Sequence, residues 1–206
     1  MKKAEQDFKF LLDRGYKRKS ALNFVVAHYG LGRKEKNFLL RRVFSREEIR
    51  EHKKKLISLS ASKNKKVAID TYNVLITVGT ILAGNKRLLV KGMDGFLRDA
   101  KGIFSNYKFN EKTERALKEI LGVLQKYHPK YLLFVLDSQI SRSGELADYI
   151  RKQLKKFKLE GEAKTKRSAD SFLVKKNWIT STSDTAIIEK VDKVIDIGAG
   201  ILKDKR

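Results

Sequence analysis

The sequence Val67-Ala68-Ile69-Asp70-Thr71-Tyr72-Asn73-Val74-Leu75 decides the fold of the chain. An apolar run leads directly into Asp70, and Asn73 follows about one helical turn later. This pattern predicts a buried parallel strand that ends in a carboxylate at its C-terminal tip. In open α/β sheets, ligands bind outside the carboxyl ends of the strands. We therefore expect Asp70 to lie at a ligand-binding edge.

Two later stretches repeat this arrangement. Tyr131 to Leu136 form an apolar run followed by Asp137, and Trp178 to Ser181 lead into Thr182-Ser183-Asp184. Asp170 lies near the start of a helix predicted just before the last of these strands. Because parallel strands present their carboxyl ends at the same edge, the pattern predicts one acidic site. Its members are Asp70, Asp137, Asp170 and Asp184.

The chain after residue 66 alternates between strands and helices. Helices are predicted over Asn110 to Tyr127 and Ser143 to Phe157, with an edge strand at Lys158 to Ala163 and a last strand at Lys193 to Ile197. Val74 to Leu82 is largely apolar, and this pattern fits either a helix or a strand. Such alternation predicts an α/β fold with a parallel sheet and helices on both of its faces.

The first 60 residues predict a small all-α domain. Three short amphipathic helices are separated by glycine turns, and Ser45 with Glu48 forms a capping box for a fourth helix over Arg46 to Leu59. The polar stretch Ser60 to Lys66 predicts a linker. We therefore divide the chain into a helical domain (1–60) and a sheet domain (66–206). The helical domain either binds nucleic acid, as a helix-turn-helix-like unit, or caps the sheet.

The net charge of +23 predicts a polyanionic partner. Both parts of the chain are basic, with net charges of +10 over residues 1–60 and +13 over residues 61–206. No apolar run approaches the ~20 residues of a spanning helix, and the N-terminus lacks the apolar segment of a signal peptide. With no cysteine, disulfides and thiolate metal sites are excluded. We expect a cytoplasmic protein that binds nucleic acid, RNA above all, and that has no membrane partner. The sequence is compatible with a homo-oligomer.

The predicted acidic site needs a compensating charge. Carboxylates that lie close together repel one another, and one of them takes up a proton unless a cation is present. Mg²⁺ and Mn²⁺ prefer carboxylate and water ligands, and one or two such ions promote hydrolysis of a phosphodiester. Each aspartate taken alone has a plainer interpretation, as a helix cap or a turn residue.

Four short motifs, in this order, resemble the PIN-like nuclease superfamily. They are Ile69-Asp70-Thr71-Tyr72-Asn73-Val74, Phe134-Val135-Leu136-Asp137, Ser168-Ala169-Asp170 and Thr182-Ser183-Asp184. The NYN branch, which includes small bacterial ribonucleases, has the most similar pattern, and the resemblance covers about residues 66–198. It implies a sheet with the first strand at its centre and Mg²⁺ or Mn²⁺ held by Asp70, Asp137, Asp170 and Asp184. The basic helical N-terminal domain joined to it resembles uncharacterised archaeal proteins.

Two features depart from the pattern of that superfamily. The stretch Met93-Asp94-Gly95-Phe96-Leu97-Arg98-Asp99 has no counterpart in the bacterial branch. Its carboxylates Asp94 and Asp99 either add a ligand or support one, or they cap a helix and pair with Arg98. Thr185 stands where many relatives have a second acid, which leaves the number of metal ions open.

Nucleic-acid contacts are predicted both around the acids and on the helical domain. Basic residues and a loop suited to anions flank the aspartates, and basic clusters precede two N-terminal helices, where backbone N–H groups favour phosphate. The first set comprises Asn73, Arg98, Ser141, Arg142, Lys164, Lys166, Arg167 and Ser183, and the second comprises Lys17, Arg18, Lys19, Arg33 and Lys34. Tyr72 and Tyr107 either stack on bases or are buried.

The sequence thus predicts a metal-dependent ribonuclease, and specifically an endoribonuclease, that hydrolyses phosphodiester bonds in RNA. An acid at each of the four motif positions favours this enzyme. The alternative is a non-catalytic RNA- or DNA-binding protein with a degenerate PIN-like domain. Thr185 and the unmatched stretch from Met93 to Asp99 favour the alternative.

Overall fold

Four helices open the chain in a computed structural model that describes residues 1–100 and 107–205. They are α1 (Lys2–Asp13), α2 (Arg18–His28), α3 (Arg33–Arg42) and α4 (Arg46–Lys55). The apolar faces of α1, α2 and α3 pack into one cluster that includes Phe8, Leu22, Val25 and Leu39. The predicted capping box is confirmed: Ser45 Oγ accepts a bond from Glu48 N–H (3.2 Å), and Ser45 N–H donates to Glu48 Oε2 (2.6 Å).

The remaining chain alternates strands and helices as predicted. Before the undescribed residues lie β1 (Leu56–Ile57), β2 (Lys66–Asp70), α5 (Thr71–Leu82), β3 (Leu89–Lys91) and β4 (Leu97–Asp99), with 3₁₀ turns at Leu59–Ser62 and Lys86–Leu88. After them lie α6 (Glu111–Tyr127), β5 (Tyr131–Asp137), α7 (Ser143–Lys156), β6 (Gly161–Lys166), α8 (Ala169–Lys176), β7 (Ile179–Ser181), α9 (Thr185–Ile188), β8 (Val194–Ile195) and α10 (Ile197–Asp204).

Six of these strands form one parallel sheet within the described residues, in the order β1-β8-β7-β2-β5-β6. The strand that ends in Asp70 lies between β7 and β5, so its central place in the sheet is confirmed. Ile69 pairs with Ser181 on one side and Phe134 on the other. This register brings the carboxyl ends of three strands to one edge.

The sheet is covered by helices on both faces, which confirms the predicted α/β class. Val67 and Ile69 face a cluster built from α5, α6, α7 and α10. Ala68, on the opposite face, packs in a smaller cluster with Leu173 and Ile187 from α8 and α9. Side chains alternate between the two faces of a strand, so one apolar run fills both layers.

A hairpin of β3 and β4 joins the helical region to the sheet. Met93, in the turn between these strands, packs against the N-terminal helical cluster. Met93 N–H donates to Arg42 O at 2.8 Å, and the Arg42 guanidinium donates to Lys91 O at 2.8 Å. On the sheet side, Leu97 N–H donates to the Asp196 carboxylate at 2.7 Å. The stretch without a counterpart in the bacterial nucleases is therefore a structural joint.

The fourth helix is shorter than predicted. It ends at Lys55, and Leu56-Ile57 pairs in parallel with Val194-Ile195 at the sheet edge. An open strand edge offers backbone hydrogen bonds to apolar residues, and this tertiary pairing overrides a helical pattern that is only marginal in isolation. The apolar stretch Val74 to Leu82, which the sequence left open, is helical and nearly completely buried.

Three smaller predictions also need correction. The sequence Phe38-Leu39-Leu40 predicts that Leu40 faces inward on α3, but Leu40 is 37% exposed. Ser168 is predicted to cap the short helix that follows it, but it makes no side-chain capping bond with α8. The last strand is only two residues long and is followed by α10, which the sequence did not predict because glycines lower helix propensity. Gly198 and Gly200 instead permit close packing, since a Cβ on Gly198 would lie 2.8 Å from Thr77 Cγ2. Gly102, expected to close the stretch after Asp99, lies outside the described residues.

Candidate functional site

Asp70 lies where β2 meets the neighbouring strand β7. Its Oδ2 accepts a hydrogen bond from the Thr182 hydroxyl at 2.8 Å, and Thr182 Oγ1 accepts one from Asp184 N–H at 3.0 Å. Asp70 is the cap residue of α5, and the backbone N–H of Asn73, in the first turn of that helix, acts on its carboxylate to lower its pKa. The carboxylate therefore interacts both with α5 and, through the Thr182 hydroxyl, with the segment after β7.

The strand order places this pair at a crossover point of the sheet. From β2 the chain proceeds to β5 and β6 on one side, and then returns to β7 and β8 on the other. The connecting helices consequently lie on opposite faces, with α6 and α7 on one and α8 and α9 on the other. Adjacent strands whose connections leave in opposite directions open a crevice at their carboxyl ends. Asp70 and Asp184 flank that crevice.

The four predicted aspartates influence one another electrostatically through Asp170. Burial raises the pKa of Asp70 to about 7; Asp184 and Asp170 add to this rise, and the Thr182 hydrogen bond opposes it. Burial also raises the pKa of Asp170, with further contributions from Asp184 and Asp137 and opposition from Lys190. Each carboxylate thus lies within the field of others from different elements.

Two of the four aspartates also serve as local caps. Asp184 Oδ1 accepts from Ala186 N–H at 2.8 Å at the start of α9. Asp137 Oδ1 accepts from Gln139 N–H at 2.8 Å in the turn after β5. Each bond engages one carboxylate oxygen and leaves Oδ2 available to the site.

Metal binding depends on how tightly these carboxylates are grouped. Within residues 1–100 and 107–205, no three His, Cys, Asp or Glu side chains are arranged as a group that could hold a metal ion. Mg²⁺ usually keeps several waters and takes only one or two carboxylates together with substrate phosphates. Asp70 and Asp184 fit this kind of site, in which two carboxylates and several waters surround the ion. They do not fit a site in which protein side chains supply every ligand.

Asn73 and Ser183 are brought together, but not for nucleic acid. Asn73 Oδ1 accepts from both the backbone N–H (2.9 Å) and the hydroxyl (3.0 Å) of Ser183. Both side chains are buried. Their predicted role as nucleic-acid contacts is wrong in this structure, because these bonds tie the first turn of α5 to the segment carrying Asp184.

Arg98 is likewise a structural residue. It is 1% exposed and forms a bidentate ion pair with Asp94, with both N–O distances at 2.7 Å. Asp94 also bonds His52 Nδ1 at 2.8 Å, and Arg98 Nε donates to Ser183 O at 2.9 Å. The prediction that Arg98 contacts nucleic acid is wrong, since its donors are engaged and shielded from solvent. Its pairing with Asp94 is the outcome that the sequence left as one alternative.

The basic strand β6 lies beside Asp137. Lys166 pairs in register with Asp137, and Arg167 follows at the carboxyl edge, where it is exposed. Lys166 Nζ lies 4.7 Å from the centre of the Phe172 ring. Lys164, further down the strand, forms an ion pair with Glu162 at 2.9 Å. Among the three, Lys166 and Arg167 lie at the carboxyl end of β6, at the same edge as Asp137.

The other predicted contacts divide into exposed and engaged side chains. Ser141 and Arg142 are exposed, and Arg142 forms an ion pair with Glu145. In the helical region the exposed basic residues are Lys17, Lys19, Arg33 and Lys34. Arg18 instead donates to Val43 O (2.9 Å) and to both oxygens of Glu48 (2.8 and 3.0 Å). We therefore correct the prediction for Arg18, because these bonds lock α2 onto α4.

Tyr72 and Tyr107 follow the buried alternative. Their rings meet edge to face at 5.1 Å, and the Tyr107 hydroxyl donates to Thr113 Oγ1 at 3.0 Å. The Tyr72 side chain is 4% exposed, and its hydroxyl has no hydrogen-bond partner among the described residues. Burial first, and then Tyr107 and Asp137, raise the pKa of Tyr72.

One basic residue at the site was missed by the sequence analysis. Arg41, near the end of α3, is partly buried, and its charge interacts with those of Asp184, Asp99 and Arg98. No local signal distinguishes it, since basic residues are common in the last turn of a helix. Only the docking of α3 onto the hairpin brings Arg41 to the acids.

Comparison with known proteins gives a family without an assigned activity. A family model described as "Domain of unknown function (DUF5616)" matches residues 59–200, and one described as "Protein of unknown function (DUF434)" matches residues 1–55. The chain belongs to the DUF5616 family. "Uncharacterized protein MJ0935" of Methanocaldococcus jannaschii is 38% identical to it over 199 residues, which cover 96% of this chain and 94% of that protein. No solved structure matches.

The relative spans both parts of this DUF5616 chain, so the helical region and the sheet occur together in both proteins. In residues 1–100 and 107–205, no helix has the length and apolar character that crossing a membrane requires.

Proposed function

We propose that this chain is a metal-dependent endoribonuclease of PIN-like type, which hydrolyses phosphodiester bonds at the edge formed by Asp70, Asp137, Asp170 and Asp184. One observation supports the proposal: Asp70, Asp137 and Asp184 lie at or just after the carboxyl ends of three adjacent parallel strands, and Asp170 interacts electrostatically with all three. Such a crevice is the usual ligand site in open α/β sheets. The resemblance of the four motifs to PIN-like nucleases supports the same interpretation.

The charge distribution supports a phosphodiester as the substrate. An acidic crevice on a protein of net charge +23 repels the phosphates that the rest of the surface attracts. A divalent cation between carboxylate and phosphate resolves this conflict. Mg²⁺ or Mn²⁺ bound by Asp70 and Asp184 would polarise the phosphoryl group and lower the pKa of a water.

The protein residues around the crevice have separable roles in this proposal. Asp70 is positioned by Thr182, and Asp184 by its bond at the start of α9. Asp170, at the start of α8, has a pKa raised by partial desolvation and by the charges of Asp184 and Asp137, which suits a group that accepts a proton from water. Lys166 and Arg167 lie beside Asp137 and would hold the phosphate of the bound strand.

A second candidate function is a nucleic-acid-binding protein that does not cut. The absence of a three-ligand acidic group among the described residues favours it, as does Thr185 in place of a second acid. This candidate retains the basic surface and the crevice but assigns no chemistry to the aspartates.

Incubation of the purified protein with total RNA, with Mn²⁺ and with EDTA, tests the first proposal. We expect fragments only with the metal ion, and none from Asp70→Asn, which should bind RNA as well as or better than the unchanged protein. Asp192→Asn is the matched control, because Asp192 is exposed and lies just before β8, at the opposite edge of the sheet.

The outcomes separate the two candidates. Cleavage that persists in Asp70→Asn would assign the activity to another site or to a contaminant. RNA binding without cleavage under any metal condition would support the second candidate.

A further inference from the structure

The end of α3 is fixed next to the acidic crevice by a chain of direct contacts. The hairpin holds α3 through the bond from Met93 N–H to Arg42 O (2.8 Å) and through the Arg42 guanidinium on Lys91 O (2.8 Å). The same hairpin reaches the crevice through Arg98, which donates to Ser183 O at 2.9 Å, one residue before Asp184. The buried Arg98–Asp94 pair makes this connection rigid.

Arg41 occupies this fixed position with its donors unused. Its side chain makes no hydrogen bond or ion pair within residues 1–100 and 107–205, although Asp184 and Asp99 lie within its electrostatic reach. Burial is the main cause that lowers the pKa of Arg41, and the two carboxylates oppose it. A partly buried guanidinium that makes no hydrogen bond is energetically unfavourable. Such groups are concentrated at functional sites, where a bound ligand supplies the missing hydrogen-bond acceptors.

We propose that Arg41 binds a phosphate group of the nucleic acid beside Asp184, so that the helical region supplies part of the site in the sheet. A guanidinium presents a planar fork of N–H donors that matches two phosphate oxygens. The carboxylate and its cation would contact the phosphate from one side and Arg41 from the other. This inference rests on the proposed function only in placing a phosphate at this edge, and it does not require the phosphate to be cut.

The simpler alternative is that Arg41 only balances the negative charge of the carboxylates. Charge balance needs a cation but not a fork of donors, so Arg41→Lys would preserve it. A phosphate contact needs the planar group, so the lysine variant would lose most of it. The two interpretations therefore differ in the behaviour of a substitution that keeps the charge and the fold.

The experiment measures binding of a short, fluorescein-labelled single-stranded RNA by fluorescence anisotropy in an Asp70→Asn background, with EDTA and with Mg²⁺. We expect Arg41→Gln to weaken binding about ten-fold, as for loss of a charge-assisted hydrogen bond, and Arg41→Lys to weaken it several-fold. Arg50→Gln removes the same charge from an exposed position on α4 and is the matched control. It should change the affinity less than two-fold.

The results distinguish this inference from the proposed function. If both Arg41 variants bind RNA more weakly and the unchanged protein does not cleave it, the phosphate contact of Arg41 would be supported. The proposed nuclease activity would be rejected. If the unchanged protein cleaves RNA, and the Arg41→Lys variant binds and cleaves RNA equally well, the phosphate contact of Arg41 would be rejected. The proposed nuclease activity would still stand. Thermal melting of each variant identifies loss of fold. If Arg41→Gln does not fold, Arg41→Lys alone decides the question.

Discussion

At the acidic edge, burial and neighbouring carboxylates raise the pKa of Asp70, whereas hydrogen bonds lower it. Asp70 is partly buried in the field of Asp184 and Asp170, and hydrogen bonds from the Thr182 hydroxyl and the Asn73 backbone N–H stabilise its charge. Unfolding would release Asp70 into water, where its pKa is close to the ordinary value of 3.8. The folded state therefore binds a proton more tightly than the unfolded state between these two pKa values.

This difference predicts how the stability depends on pH. Because the pKa of Asp70 is raised on folding, its favourable contribution is complete below about pH 4 and is lost as the pH rises to about 7. The elevation to about 7 corresponds to at most roughly 4 kcal/mol in the free energy of unfolding. We expect Asp70→Asn to become more stable than the unchanged protein across this range, by up to that amount at pH 8. Urea denaturation of both proteins at pH 4, 6 and 8 measures the difference.

Mg²⁺ provides the control for this prediction. A cation that binds the folded carboxylates stabilises the unchanged protein by mass action but has little effect on the asparagine variant. The gap in stability at pH 8 should therefore narrow when Mg²⁺ is added. A gap that does not depend on pH would contradict the electrostatic assignment of Asp70.

Among the elements, the β3–β4 hairpin connects two hydrophobic clusters that do not otherwise merge. Its turn residue Met93 lies in the helical cluster, while Phe96 lies in the cluster beneath α8 and α9. Between them, Asp94 and Arg98 form the buried pair that also engages His52. Breaking a buried pair on one side leaves an uncompensated charge, so the hairpin should be sensitive to small changes.

Gly92→Ala tests that sensitivity at the hairpin. A Cβ at Gly92 would meet Arg98 Nη1 and Asp94 Oδ1 well inside van der Waals contact, and Arg41 O at 3.3 Å. We expect a loss of about 3 kcal/mol in the free energy of unfolding, the size typical of a disrupted buried ion pair. Urea denaturation at neutral pH provides the measurement.

Gly122→Ala, within α6, is the matched control for the hairpin substitution. Apart from its chain neighbours and the adjacent backbone of α6, no atom of the described residues lies within 4 Å of a Cβ placed there. Removing a helical glycine should stabilise the protein by up to about 1 kcal/mol. If both alanine variants were equally stable, the hairpin would not be the rigid joint inferred from its hydrogen bonds.

At the scale of the whole molecule, the helical region both covers the sheet edge and presents basic side chains. Pairing of β1 with β8 and the hairpin contacts attach it to the sheet. Its exposed cations at the starts of α2 and α3 are Lys17, Lys19, Arg33 and Lys34. These two roles are compatible because they use different faces of the helices.

The exposed cations predict a salt-dependent affinity for RNA. Replacing Lys17, Lys19, Arg33 and Lys34 with serine should weaken binding and reduce the log–log salt slope by ~0.7 for each lost contact with a single strand. Arg18 is left unchanged because its bonds to Val43 and Glu48 are structural. The slope is obtained from binding titrations at several salt concentrations.

A second set of four lysines controls for net charge alone. Lys130, Lys152, Lys155 and Lys156 are exposed near the amino edge of the sheet, where α7 ends and β5 begins. Their replacement with serine removes the same charge but should leave most of the slope intact. Equal loss of slope in both variants would indicate a diffuse attraction without a defined binding face.

The sequence by itself determined the order of strands and helices, the capping box at Ser45, and the aspartates at the ends of β2 and β5 and just beyond the end of β7. These features depend on apolar periodicity and on groups that interact within a few residues, so they can be recognised locally. Parallel strands share one carboxyl edge, and there Asp170 lies within the electrostatic field of the other three acids; their common site stays a prediction.

Only the tertiary structure decided the roles of the residues around those acids. The charges of Arg98 and Arg18 suggested contacts with nucleic acid. Their guanidinium groups instead donate hydrogen bonds to residues distant in the sequence, such as Ser183 and Glu48. Arg41 reaches the crevice because α3 docks onto a hairpin about fifty residues later in the chain. Leu56-Ile57 becomes a strand because β8 offers an open edge. These outcomes depend on contacts between distant residues, and local pattern and charge do not specify which partners meet.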